Sequence, residues 1–182
     1  MKTTRTVLAA AALFALSSVA TSPIIRADDA APASQPSAPV DYHKLKEQLP
    51  ETLAGVKRTS LEGSRMKFGE MSVSNAKADY GGEEGKLSFH IEAVSYNNAE
   101  VAKGMAAWTQ MEIDNESDDG FQKSVKIQDQ PAMLDYKTKE KTGTITVLAG
   151  NVMLTVNVEN ASPEDFKKVQ DALPAKAIAA LK

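Results

Sequence analysis

Two histidines, His43 and His90, are the chain's whole supply of imidazole, and cysteine is absent. Thiol catalysis is therefore excluded, and serine hydrolysis lacks a G-x-S-x-G turn. His90 stands two residues before Glu92. On an extended strand that spacing puts both side chains on one face. A carboxylate there orients an imidazole and favours its charged form, as in a general base or a pH-sensitive contact. His90 and Glu92 are thus the candidate catalytic pair, for a hydrolase or isomerase of unfamiliar type. An outward histidine on a wet sheet face accounts for the same spacing.

Metal chemistry has two possible sources. The acidic run Glu112, Asp114, Glu116, Asp118 and Asp119 resembles a calcium loop in composition. An EF-hand needs glycine at its sixth position and glutamate at its twelfth. With Gly120 at the sixth, Lys126 falls at the twelfth, so that motif fails. An irregular site on Asp114, Glu116, Asp118 and Asp119 is the remaining metal candidate, beside a plain solvated loop. Methionine sulfur suits copper. Met105 and Met111 lack a compact pattern, however, and methionine at helical or strand spacing fills cores. Lys137, Lys139 and Lys141 alternate along one side of an expected strand. They would meet an anionic partner or guard a sheet edge. Glycines cluster at turns, so no phosphate-binding loop is visible and no cofactor is expected.

Charge narrows the partners. The formal charge is −3 over 182 residues, and residues 1–27 hold Lys2, Arg5 and Arg26 with no acid. Removing those three cations takes the balance from −3 to −6. Such a chain repels phosphate backbones and anionic bilayers, so nucleic acid is not an expected partner. Lys2 and Arg5 precede the apolar run Val7 to Leu16 and the small residues Ser17 to Ala20. That order is a secretory signal peptide, over 1–27, with cleavage after Ala27 or alternatively after Ala20. The run falls short of the ~20 apolar residues a spanning helix needs, so no stable membrane insertion is expected after cleavage. The expected location is periplasmic or secreted. Absence of cysteine excludes a lipoprotein anchor and a disulfide framework. Residues 28–40, rich in Pro, Ala and Ser, read as a disordered linker. Residues 41–182 then suit one domain.

The elements that would position these side chains follow from periodicity. Asp41 caps a short helix that places Leu45 and Leu49 on one side. A short strand over 56–61 precedes a loop bracketed by Gly63 and Gly69. Met71 to Tyr80 and Lys86 to Ser95 form a hairpin across a glycine-rich turn. Leu87, Phe89, Ile91 and Ala93 point one way, and Ser88, His90 and Glu92 the other. An amphipathic helix from Asn97 or Asn98 to about Met111 carries Val101, Met105, Trp108 and Met111. Four strands follow, over 121–127, 132–139, 144–149 and 152–158. Ser162 caps the last helix, with Pro163 at its first position and Phe166, Val169 and Leu173 on its apolar side. Pro174 breaks it, and 175–182 form a second short helix. The expected class is α+β: an antiparallel sheet of about five to seven strands with two or three amphipathic helices packed on it.

The phrase Leu49-Pro50-Glu51-Thr52-Leu53-Ala54-Gly55 leading to Arg58-Thr59, with Ala107-Trp108 and the closing helix, resembles the opening and close of uncharacterised secreted bacterial domains. The element order is similar to the Mog1/PsbP-like fold. The resemblance implies a non-catalytic domain that works through contacts, and it carries no functional residue onto this chain. The expected function is an exported binding or interaction domain for a protein or small ligand. The alternatives are the His90 enzyme and a metal-responsive envelope protein.

Overall fold

The computed structural model describes residues 38–181. The expected signal peptide and most of the expected linker lie outside the described residues. The linker ends earlier than its composition suggests. Val40 is buried in the core, and its N–H donates to Ser95 Oγ at 3.0 Å.

The chain runs α1 (Tyr42–Glu47), β1 (Thr52–Leu53), β2 (Val56–Phe68), β3 (Met71–Tyr80), β4 (Ser88–Tyr96), α2 (Ala99–Trp108), β5 (Asp114–Ser117), β6 (Gly120–Ile127), β7 (Gln130–Lys137), β8 (Thr142–Ala149), β9 (Val152–Glu159), α3 (Pro163–Ala172) and α4 (Ala175–Ala179). All nine strands join one sheet, in the order β1-β2-β3-β4-β9-β8-β7-β6-β5, and every neighbouring pair is antiparallel. This corrects the expected α+β class with five to seven strands. Strands hold 49% of the described residues and helices 21%, so the fold is β-rich. The difference has local causes. β1 and β5 are two and four residues long, too short for alternation to register. β2 continues through Gly63, where a loop was expected, and its last five residues are all exposed and carry no apolar alternation.

One face of the sheet is the core. Tyr80, Phe89, Ile91, Leu134, Tyr136, Ile145, Leu154 and Val156 on it are at most 5% exposed. Alternation along each strand puts these side chains on a single side. Leu45 and Leu49 of the α1 region, Phe166 and Val169 of α3, Leu173, and Ile178 of α4 cover them. Two glycines admit the helices. A Cβ at Gly63 would lie 2.6 Å from Tyr42 Cδ2, and one at Gly143 would lie 2.4 Å from Phe166 Cε2. α3 starts where expected, with Ser162 and Asp165 forming a reciprocal capping box behind Pro163.

The central helix departs from its expected role. α2 stops at Trp108, and of the expected stripe only Met105 is buried, while Met111 is 50% exposed. A cavity of about 200 Å³ is lined by Ala102, Met105 and Ala106 together with Tyr96 and Leu148. Tyr96 follows the buried Ser95, and Leu148 sits between the buried Val147 and Ala149. Both therefore point away from the core, so α2 packs at one end of the sheet's other face. Among the described residues no helix is long and apolar enough to cross a membrane.

Candidate functional site

Away from α2, the second face of the sheet is polar. Strand register aligns Ser60, Asp79, His90, Asn157, Thr144, Asp135, Gln122 and Asn115 in one row across β2, β3, β4, β9, β8, β7, β6 and β5. Four of the seven neighbouring pairs in the row bond side chain to side chain. Ser60 Oγ donates to Asp79 Oδ2. His90 Nδ1 meets Asp79 Oδ1 at 2.6 Å. Thr144 Oγ1 donates to Asn157 Oδ1 at 3.2 Å, and Gln122 Nε2 to Asp135 Oδ2 at 3.4 Å. The next row carries a Lys77–Glu92 ion pair at 3.0 Å. Cross-strand partners of this kind are the unit that fixes side chains on a sheet face.

The Ser60 hydroxyl, and next the His90 ring, hold the Asp79 carboxyl below its usual value of 3.8. Donation from Nδ1 to this carboxylate leaves Nε2 of a neutral ring as the free acceptor. The structure thus gives His90 a carboxylate partner other than the one its own strand suggested. Glu92 shares the face but is taken by Lys77, and Asp79 holds the imidazole. Asp79 was legible in principle. The spacing that put Ala76, Ala78 and Tyr80 on the core side put Asp79 on the wet side, opposite His90 once the turn at Gly81 sets the register.

Ser60, Asp79 and His90 do not form a nucleophilic triad. There the histidine stands between serine and carboxylate. Here the carboxylate stands between the other two. The pair is also open: the His90 side chain is 37% exposed and that of Asp79 is 54%. A shallow cavity of about 270 Å³ adjoins them, bordered by Thr59, Ser88, Asn157 and Glu159.

The acidic stretch behaves differently from a metal loop. Asp114 and Glu116 flank Lys123 at 3.7 and 2.5 Å from β5, a strand where a loop was expected. Lys123 lowers the Glu116 pKa and has its own raised in return. Asp119 is ion-paired with Lys139. Among the described residues no group of three or more His, Asp or Glu side chains converges that could hold a metal. The three alternating lysines do not share a strand. Lys137 ends β7 and pairs with Glu140 at 3.6 Å, Lys139 lies in the turn, and Lys141 has a left-handed backbone with φ of 53°.

Comparison with protein-family models, curated proteins and solved structures gave no match.

Proposed function

We propose that the chain is an exported binding domain that presents the polar face of its sheet to a protein or small-ligand partner. One observation carries this reading: donors and acceptors lie in register across eight strands, seven of the eight held by a neighbour in the row, on a face that the core-side helices leave free. Side chains fixed before contact lose little entropy on binding. The test is capture of envelope components on immobilised chain, with a Lys77→Ala/His90→Ala/Asn157→Ala variant beside it. A saturable partner retained by the natural chain and lost by the variant is expected. Capture that ignores the variant, or no saturable partner under several buffer conditions, overturns the reading.

The cavity beside Asp79 and His90 favours a second reading, acid–base chemistry on a small ligand by the hydrolase or isomerase route. A histidine held by a carboxylate, with Glu159 on the same rim, supplies two titratable groups at one place. Turnover of a substrate panel that survives His90→Ala unchanged removes it.

A further inference from the structure

The sheet has two edges, and no strand among the described residues pairs along most of either. β1 covers only Val56 and Lys57 of β2. The outer side of β2 from Ser64 to Phe68 has no backbone partner among the described residues, and neither has the outer side of β5. Unpaired edges are templates for another strand unless something covers them. Among the described residues, the three exposed large apolar side chains all lie on or beside these edges. Met66 is 48% exposed and Phe68 62% on β2, and Met111, at 50%, comes just before β5.

We propose that the two edges fit each other, so that β5 of one copy pairs antiparallel with the Ser64–Phe68 half of β2 of the next. Topology allows this without inverting either copy. Seven successive antiparallel pairings separate β2 from β5, so the two edge strands run in opposite directions. A second copy shifted along the sheet, with the same face up, meets the first with its strand antiparallel.

The side chains choose the register. Arg65 lies opposite the buried Ser74, and Lys67 opposite Ser72, so both sit on the core side of β2. Asp114 lies opposite Lys123 in line with the buried Leu134, and Glu116 opposite Phe121 in line with the buried Tyr136, so both sit on the core side of β5. Setting Asp114 against Lys67 then sets Glu116 against Arg65 on that side. Asn115 falls against Met66 and Ser117 against Ser64 on the other. Neither Arg65 nor Lys67 is ion-paired with a described residue. A two-fold pairing of β2 with its own copy lacks this match, because both strands would bring cations and no carboxylate to the core side. The contact is heterologous, so repeated use builds an open chain of copies rather than a closed pair.

The experiment is sedimentation velocity of the purified chain over a concentration series. It is run at about 0.01 M salt, where charges act over about 30 Å, and at about 1 M, where they act over about 3 Å. The average sedimentation coefficient should rise with concentration at low salt and return to the monomer value at high salt. Lys67→Glu and Asp114→Lys should each weaken association by roughly two- to thirtyfold, because one exposed attraction is lost and a repulsion of similar size replaces it. An equimolar mixture of the two variants should recover it, because the carboxylate introduced on β2 of one then meets the ammonium introduced on β5 of the other. Phe68→Ser, a neutral change at the hairpin tip, should weaken association at low salt without altering any charge. Thermal midpoints of the variants confirm that each is folded. A natural chain that stays monomeric at low salt up to its solubility limit overturns the proposal. A mixture that associates no better than its components does the same.

Discussion

Gly143→Ala tests how the last helices are seated on the sheet. Gly143 faces the core between Tyr136 and Val158, and Phe166 of α3 lies directly over it. A methyl carbon there would stand 2.4 Å from Phe166 Cε2, 2.9 Å from Cδ2 and 2.8 Å from the Asp135 carbonyl oxygen. Comfortable carbon–carbon contact needs about 3.5–4.0 Å, so the ring must retreat by about 1 Å. Phe166 is 1% exposed and packs against Tyr136 and Phe121 at centroid distances of 5.1 and 6.1 Å, so it has no free side to move into. Overpacking of this kind costs about 1–3 kcal/mol. Part of each aromatic contact, worth about 0.5–1.5 kcal/mol, is lost as well. Alanine returns about 0.5–1 kcal/mol through the stiffer backbone. The expected net loss is about 2–3 kcal/mol, read from urea unfolding followed by far-ultraviolet circular dichroism. Repeating the change in a Phe166→Ala background removes the ring clash and leaves only the carbonyl contact. The cost should then fall by at least about 1 kcal/mol, as for residues in direct contact. A loss below about 0.5 kcal/mol, or the same loss in both backgrounds, would refute the seating of α3 on β8.

Three further outcomes follow from single contacts. Tyr136→Phe should cost about 1–3 kcal/mol in the same unfolding assay, because the buried Tyr136 hydroxyl donates to the Ala161 carbonyl at 2.7 Å and nothing replaces it. Ser95→Ala should destabilise by a similar ~1–3 kcal/mol by stranding the Val40 N–H, whereas Ser74→Ala should be neutral or stabilising; Ser74 Oγ is buried with no protein partner among the described residues. Asp79 has a folded-state pKa below its usual 3.8, set by Ser60 first and His90 next. Its contribution is therefore full above the unfolded value and is lost as pH falls through the folded one. Asp79→Asn should flatten the acid limb of the urea midpoint against pH, and an unchanged limb would place the acid sensitivity elsewhere.

What was legible in the sequence tracks how local the signal is. Ser162, Pro163 and Asp165 mark α3 by chemistry confined to one turn, and the helix starts there. Val152, Leu154, Val156 and Val158 alternate because one face of β9 is buried, and all four are at most 1% exposed. Where burial is absent, the pattern has no cause to appear. The distal half of β2 is exposed on both faces, so Ser64 to Phe68 read as loop, yet β3 pairs with it residue by residue. β5 lies outermost and wholly exposed, and its acids, which composition alone left to a solvated loop or an irregular calcium site, flank a lysine on the next strand. The site shows the same limit. His90 stood out by rarity, but its partner comes from the next strand, and cross-strand pairing is set by the turn rather than by spacing along one strand.

Every strand neighbour in the sheet is also a neighbour in the chain, except one. β4 and β9 meet in the middle, from Ser88 opposite Glu159 to Ser95 opposite Val152. On either side of that seam the sheet is a run of hairpins that close quickly and independently, each over a short loop. Joining the halves closes a far longer loop, and such non-local pairings slow folding. The seam is therefore the expected rate-setting step of folding: truncating Ile91 or Val156 at its centre should slow refolding in a stopped-flow assay, whereas truncations in the outer hairpins should mainly quicken unfolding. A chain halted between the two events exposes both inner strand borders at once. That fleeting intermediate, more than the finished domain, is the species most open to pairing with other chains.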